Sequence, residues 1–406
     1  MTEQSTEGVR EVEGWLRSLW GLPRPRGGEA PALAATLVEA LGNPQRSAPA
    51  VHIVGTAGKG TVASMLTDAI VAGGCSVATH VSPHVHDIRE RFTIDGGFAS
   101  PADLVVAVDE VRAAATIVAR EHGRPPTFFA ASAALSWVLG RNAGVDVFVT
   151  EAGIGGRLDA TAVLDRPDTI TVITAIGLDH TAELGSTIDA ITREKAAVLA
   201  GRRIAVLGPQ PDPDAAAVVR TCADTAGVEL VEVAPAGSWV RDGRAVAAVA
   251  ADALGELLGV TLPAPLGPPP VGRGERRDIA GRRLLLDGAH NPLKLAALVD
   301  ALPGDAWPAL AVLALGAGKD LDGCARELAR LGCPIIVTEF GGATPPRSHR
   351  AADVVDALRR HGVDAAAAST TAAAVDRAVE RSAPGDAILV TGSFLILADA
   401  VAAIGG

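Results

Sequence analysis

The sequence contains no tyrosine, and only seven phenylalanines, five tryptophans and two methionines. Aromatic packing can therefore contribute little, and the core must be built from Ala, Val, Leu and Ile in a chain that is 48% apolar. Cysteine is also scarce. Cys75, Cys222, Cys324 and Cys333 stand far apart with no C-x-x-C pair, which excludes a disulfide framework and a zinc-site spacing. Positive charge is in deficit as well. A formal net charge of -11 argues against a broad nucleic-acid footprint, which needs a basic face. A local basic cleft for small anions is still compatible with it. No run approaches the roughly 18 uninterrupted apolar residues of a membrane span. The opening MTEQSTEGVREVEGWL is polar and acidic, unlike a targeting leader. These absences predict a cytoplasmic protein with free, inert thiols, no membrane partner and no nucleic-acid partner.

The chain has 406 residues, too many for one ordinary domain and suited to two or three. Short β-branched runs at 51–55, 77–81, 145–151, 169–177 and 203–208 read as strands. Stretches of helical period lie between them, such as Val62, Met65, Leu66, Ala69 and Ile70, closed by Gly73 and Gly74. This alternation predicts an α/β fold: a mostly parallel sheet with helices on both faces. Near 263–271 the sequence becomes PAPLGPPPV, too proline-dense for a helix or central strand, and reads as a linker. Strand-like runs then resume in RRLLLDGAHN, ALAVLALG, PIIVTEF and DAILVTG, so two α/β domains are expected, 1–270 and 271–406. The alanine-rich patch 365–374 reads as surface helix.

GTAGKGT (55–61) follows a strand and opens a helix, where backbone N–H groups and a helix N-terminus can cradle an anion. The spacing departs from G-x-x-x-x-G-K-[ST], because Ile53 stands at the usual first glycine and Gly60 separates Lys59 from Thr61. Read as a phosphate loop, it uses Lys59 as a point charge and places Thr61 to reach magnesium; read structurally, it is a glycine corner. Glu151 ends the next strand before a glycine-rich turn, in EAGIGGRLDAT, and Asp179 and His180 follow Gly177 at another strand end. Open α/β sheets bind ligands at these carboxyl ends, and a carboxylate there suits magnesium or simply caps a turn. Lys195 falls on the apolar stripe of Ile188, Ile191, Val198 and Leu199. A buried lysine is costly unless paired or modified; the alternative is a stem that snorkels at the stripe's edge. In the second half, Asp287 ends a strand ahead of His290, Asn291 reads as an N-cap, and Arg273 follows the linker, either reaching toward the other domain or solvated in a basic run. His84 and His86 form an H-x-H pair with no third ligand at a telling spacing.

In order along the chain, LGNPQR, GTAGKGT, SPHV with Glu90 and Arg91 after it, EAGIGGRLDAT, GLDHT, REKA, DGAHNP, GAGKD and TGSF resemble the folylpolyglutamate synthases and dihydrofolate synthases of the Mur ligase superfamily. The inserted Gly60 is a feature of that family's ATP loop. The resemblance implies a P-loop NTPase-like, mostly parallel sheet domain with an N-terminal helical segment, then a smaller Rossmann-like α/β domain. It implies that Gly55, Thr56, Gly58, Lys59, Gly60 and Thr61 hold ATP. Ser82, Glu151 and His180 match magnesium-binding positions, with Thr61 beside them, and Lys195 matches a lysine that the family carbamylates and sets by the metal. Arg273, Asp287 and His290 match residues that close on the nucleotide and the reacting groups. The implied reaction joins a carboxylate of folate or dihydropteroate type to an amino acid, glutamate in this family, through an acyl phosphate, in a monomer. The alternatives are a member redirected to another acid or amine and a catalytically weak nucleotide-binding switch. Three positions depart from the family: Ala57 for the usual Asn, Ala130 for Glu, and Ala162 for Asn. They predict folate activity below that of a typical member.

Overall fold

Buried β-branched strands and the helices that cover them assemble into two units, Met1–Pro268 and Pro269–Gly406. The computed structural model describes residues 3–20, 22, 28–302, 304–341 and 347–404. In the first unit β1 (Ala50–Val54), β2 (Val77–His80), β3 (Phe92–Ile94), β4 (Gly97–Phe98), β5 (Val147–Glu151), β6 (Thr169–Ile173), β7 (Ile204–Leu207) and β8 (Glu229–Glu232) form one sheet. Its order is β4-β3-β2-β5-β1-β6-β7-β8. Six strands run parallel, and β3 and β4 are antiparallel at one edge.

Every residue of β1, β5 and β6 is buried, as befits strands covered on both faces. Side chains alternate between faces. Val147 and Val149 pack with Val62, Met65 and Leu66 of the helix Lys59–Ala72, while Phe148 packs with Leu135 and Val138 of the helix Phe128–Ala143. The register sets Ile53 beside Glu151 and Val54 beside Ile173, so the loops leaving β1, β5 and β6 emerge together at one edge.

Two sequence expectations are corrected. The strand read over 169–177 stops at Ile173. The carbonyl of Ala175 instead accepts the N–H groups of Thr56 at 2.8 Å and Ala57 at 3.1 Å, so this segment clasps the loop after β1. The patch 365–374 is not all helix. Ala365–Ala367 pairs in parallel with its neighbour, and the helix starts only at Thr371. Ladder pairing here overrides the helix preference of alanine.

The second unit carries β9 (Arg273–Ile279), β10 (Arg282–Asp287), β11 (Pro308–Leu313), β12 (Ile335–Val337), β13 (Ala365–Ala367) and β14 (Ala387–Thr391) in the order β13-β12-β11-β14-β10-β9. All run parallel except β9, the charged edge strand. It turns into β10 through Ala280 and Gly281, both at positive φ (46° and 74°), which matches the twist of a tight hairpin. No helix or strand forms over 261–270. Among the described residues no helix is long and apolar enough to cross a membrane.

Candidate active site

β1 delivers its chain into Gly55, whose φ is 147°. A Cβ there would lie 2.0 Å from Thr174 Oγ1, so only glycine fits this approach. Gly58, at φ 90°, starts the helix Lys59–Ala72. Lys59 Nζ donates to the Gly55 carbonyl at 3.1 Å and lies 3.8 Å from Glu151 Oε1. Thr56 ties the loop to the turn after β6: its hydroxyl donates to Gly177 O at 3.1 Å and accepts from Gly177 N–H at 3.2 Å. Gly60 and Thr61 are buried in the first helical turn, and Thr61 Oγ1 is sealed from solvent with no hydrogen-bond partner among the described residues. Buried hydroxyls without partners are rare in native proteins. This orphaned oxygen, in a glycine loop beside a buried carboxylate, fits a hard cation with oxygen ligands.

Glu151 closes β5 and is buried; its Oε2 accepts the Ser82 N–H at 3.0 Å. Lys195 is 3% exposed, which removes the snorkelling alternative. Its Nζ donates at 3.0 Å to the Gly55 carbonyl, the same oxygen that Lys59 uses. Burial first, and the Lys59 charge second, push its pKa down to about 7 against the pull of Asp179, Asp159 and Glu194. Its helix runs from Ile188 to Ala196, so Val198 and Leu199 of the expected stripe sit on a following 3-10 turn.

The structure thus gathers Lys59, Lys195, Glu151 and Ser82 around Gly55. His180 enters the same edge beyond Gly177, at φ 51°, with its N–H donated to Asp179 Oδ1 at 3.0 Å and Nε2 3.9 Å from Asp179 Oδ2. Among the described residues no three His, Cys, Asp or Glu side chains cluster as a metal cage. His84 and His86 make no pair, because His84 Nδ1 accepts from Arg91 Nε at 2.7 Å while His86 is exposed.

The turn after Glu151 is tied down by buried hydrogen bonds. Buried Asp159 accepts from Ile154 N–H, Thr161 N–H and the Thr161 hydroxyl, and Thr161 Oγ1 in turn meets His52 Nε2 at 2.8 Å. Glu194 reaches from the neighbouring helix to accept Leu158 N–H at 2.7 Å and pair with Arg157 at 3.1 Å. Gly156 lies directly on the backbone that carries Lys195: a Cβ would meet Lys195 O at 2.8 Å and Glu194 O at 2.9 Å. Gly156→Ala is expected to destabilise the protein by about 1–3 kcal/mol through overpacking, measured as a lowered urea midpoint with unchanged slope. A stability equal to wild type would show that the two segments are not locked together.

In the second unit, Asp287 accepts from Ala289 N–H through Oδ1 at 2.8 Å and from Gly274 N–H through Oδ2 at 2.9 Å. Burial raises its pKa to about 6, opposed by the charge of Arg273. The Arg273 guanidinium lies 3.9 Å from the centre of the Phe394 ring, and His290 meets the same ring edge-on at 6.1 Å. His290 bonds Gly288 O through Nδ1 at 2.7 Å and Lys294 Nζ through Nε2 at 3.0 Å. An ammonium only donates, so His290 Nε2 accepts and Nδ1 carries the proton. Gly288 is fixed by Phe394, whose ring would be 2.2–2.5 Å from a Cβ.

Arg91, Asp159, Glu194 and Phe394 all lie within motifs legible in the sequence, yet their contacts reach across the fold and carry no local signal. Lys294 has no signal beyond its place in the first turn after Asn291.

Residues 272–394 match the family model "Mur ligase, glutamate ligase domain". Over 404 aligned residues the chain is 32% identical to the "Probable bifunctional folylpolyglutamate synthase/dihydropteroate synthase" of Halobacterium salinarum, covering 90% of this chain and 48% of that protein. The chain spans about half the length of the curated relatives that it matches in this way. Among solved structures, "Mycobacterium tuberculosis Folylpolyglutamate synthase complexed with ADP" superposes with a TM-score of 0.83 at 26% identity and covers 99% of both chains. A Yersinia pestis "bifunctional folylpolyglutamate synthase/dihydrofolate synthase complexed with AMPPNP and Mn ion" superposes with a TM-score of 0.79 at 26% identity, again over 99% of both chains.

Proposed function

We propose that the chain belongs to the folylpolyglutamate synthase/dihydrofolate synthase family of Mur ligases, and from that premise that it is an ATP-dependent, ADP-forming ligase that joins a folate-type carboxylate to an amino acid, glutamate by family analogy. One observation carries the reading: a sealed, partnerless Thr61 hydroxyl in a glycine loop whose Gly55 carbonyl holds both Lys59 and Lys195, with Glu151 alongside.

In this reading a carboxylate oxygen of the acid attacks the γ-phosphorus of ATP, the bond to ADP breaks, and an acyl phosphate forms. The amine of the amino acid then attacks the acyl carbon, phosphate leaves, and one proton is released. The loop N–H groups and Lys59 hold the phosphates and neutralise charge on the transferring group. Magnesium would be held by Thr61, Ser82, Glu151, His180 and a modified Lys195, and would supply Lewis-acid charge to the phosphoryl oxygens. In the second unit, Arg273 stacks on Phe394 and Asp287 is buried, and by family analogy Arg273, Asp287 and His290 serve the nucleotide and the reacting groups. The relatives solved with ADP, and with AMPPNP and manganese, support nucleotide and divalent-metal binding here. The test is phosphate release from ATP with a panel of dihydropteroate, reduced folates and amino acids. Release dependent on both an acid and an amino acid is expected; release indifferent to every acid would overturn the reading.

A second reading, a family member redirected to another acid, is favoured by three methyl side chains. Ala130 is 2% exposed at the start of the helix Phe128–Ala143, with its N–H held by Thr127. Ala57 lies in the phosphate loop, and Ala162 follows the buried Asp159 turn. Where the family carries Glu or Asn, this chain has lost a hydrogen-bonding group, and sites built on such bonds discriminate strongly. kcat/KM for dihydropteroate or tetrahydrofolate is therefore expected to be at least about 10-fold below that of the Mycobacterium tuberculosis enzyme assayed in parallel. Equal efficiency would refute this expectation.

A further inference from the structure

Arg91 stands at the carboxyl end of β2, where its carbonyl accepts the Val81 N–H just before β3 begins. In the sheet order β2-β5-β1, this end lies beyond Glu151 of β5 as seen from the loop of β1. Its surroundings are unusual for an arginine. The residue is only 3% exposed, and its guanidinium lies 4.9 Å from the centre of the Phe128 ring. Trp20 also meets that ring, at 4.7 Å between centroids. Nε donates to His84 Nδ1 at 2.7 Å. His84 Nδ1 accepts this bond, so that ring nitrogen carries no proton. Nη1 and Nη2 donate no hydrogen bond to any described residue.

The nearby carboxylates do not fill this gap. Glu90 is occupied by the N–H groups of Val85, His86 and Asp87 at 2.6, 2.8 and 3.0 Å. Glu151 faces Ser82 through one oxygen and Lys59 through the other. Both exert only a through-space pull on Arg91, whose pKa burial nevertheless lowers to about 10. A buried charge with unfilled donors is costly unless a partner completes it. The unfilled pair of Nη donors is a fork suited to a planar carboxylate. The aromatic ring fixes the plane of that fork and His84 fixes its edge.

We propose that Arg91 is the residue that recognises the carboxyl group of the acid substrate, binding it through Nη1 and Nη2 on the far side of Glu151 from the phosphate loop. The placement rests on the ligase reading, because there the reacting carboxylate must lie beside the transferring phosphoryl group.

Two measurements on the full chain test this, and the first is independent of any pterin. Arginine side-chain 15N spectra are recorded during titration with benzoate and with benzamide, in wild type and Arg91→Lys. Benzoate is expected to shift one Nη set that is absent in Arg91→Lys, and benzamide to leave it unmoved. No Arg91 shift, or equal benzoate affinity in the variant, would overturn the proposal. In the second, steady-state kinetics of Arg91→Lys are expected to show KM for the acid raised about 10- to 100-fold with KM for ATP within about two-fold of wild type, since the fork but not the charge is lost. Equal loss for ATP and acid, or a fall in kcat alone, would overturn it. Thermal melting of Arg91→Lys against wild type verifies that the fold persists. If wild type turns over no folate-type acid, the ligase substrate fails while the benzoate titration still decides Arg91.

Discussion

Lys59→Ala is expected to lower turnover by about 10²–10³-fold, the loss found when one preorganised donor is removed from a developing charge. Lys59 is pinned by two contacts, the Gly55 carbonyl at 3.1 Å and Glu151 at 3.8 Å, so its charge is in place before substrate arrives. An interaction of this kind acts more strongly on the transition state than on bound ATP, so kcat should fall more than KM for ATP rises. The same substitution has a second consequence. Lys59 is one of the causes that depress Lys195, and removing it should let the Lys195 pKa climb from about 7. A pH profile of the residual activity should therefore shift to higher pH. Turnover within a few-fold of wild type would remove Lys59 from phosphoryl transfer and with it the assignment of the loop.

Much of the first sheet is legible in the sequence because β1, β5 and β6 are buried on both faces and so read as unbroken β-branched runs. The strands that escape a sequence reading are short or exposed. β8 is Glu-Leu-Val-Glu with both glutamates at the surface, and β9 is a charged edge strand, a composition that keeps edges from pairing with other chains. Residues 174–177 mislead for the opposite reason. They look like strand, but the carbonyl of Ala175 is claimed by the loop of β1.

The candidate site divides in the same way. Gly55, Gly58, Lys59, Glu151 and Asp287 announce themselves as glycines and charges at strand ends, which is a local pattern. The contact between Lys195 and Gly55 spans 140 residues, and the stack of Arg91 on Phe128 joins two motifs that are separate in the chain. Pairings of this sort are set by the parallel register, in which one edge collects the exits of β1, β2, β5 and β6. No local period encodes them.

Lys195 is expected to carry a carbamate, and its loss to lower activity by at least about 10–100-fold, the scale for groups that orient a metal site. The lysine is 3% exposed, and its only described hydrogen bond is to a single carbonyl. Burial and the neighbouring Lys59 depress its pKa from an ordinary 10.5 to about 7, so a large share of the amine is neutral at physiological pH. A neutral amine attacks carbon dioxide; a C–N bond forms, one proton leaves, and the side chain becomes an anion. Lys59 at the shared Gly55 carbonyl supplies positive charge that makes such an anion tolerable there, and a divalent cation held by Glu151 would add to it. The pH dependence follows from the direction of the shift. Activity in bicarbonate buffer should rise as pH increases through about 7, where the ammonium gives up its proton. Stability should respond as well. Between the folded value of about 7 and the unfolded 10.5 the unfolded chain binds more protons, so stability rises with pH across that window and the penalty is complete below it. Lys195→Met should accordingly gain most in urea midpoint at pH 6 and little at pH 10. Three readouts decide the modification. Carbon-13 bicarbonate should give a carbamate resonance in wild type that is missing from Lys195→Ala. Electron density in crystals grown above neutral pH should extend past Nζ by a planar three-atom group. Activity of Lys195→Ala should be partly restored by formate or acetate. A bare ammonium in ordered density, together with an active alanine variant, would leave Lys195 as a buried amine that only braces Gly55.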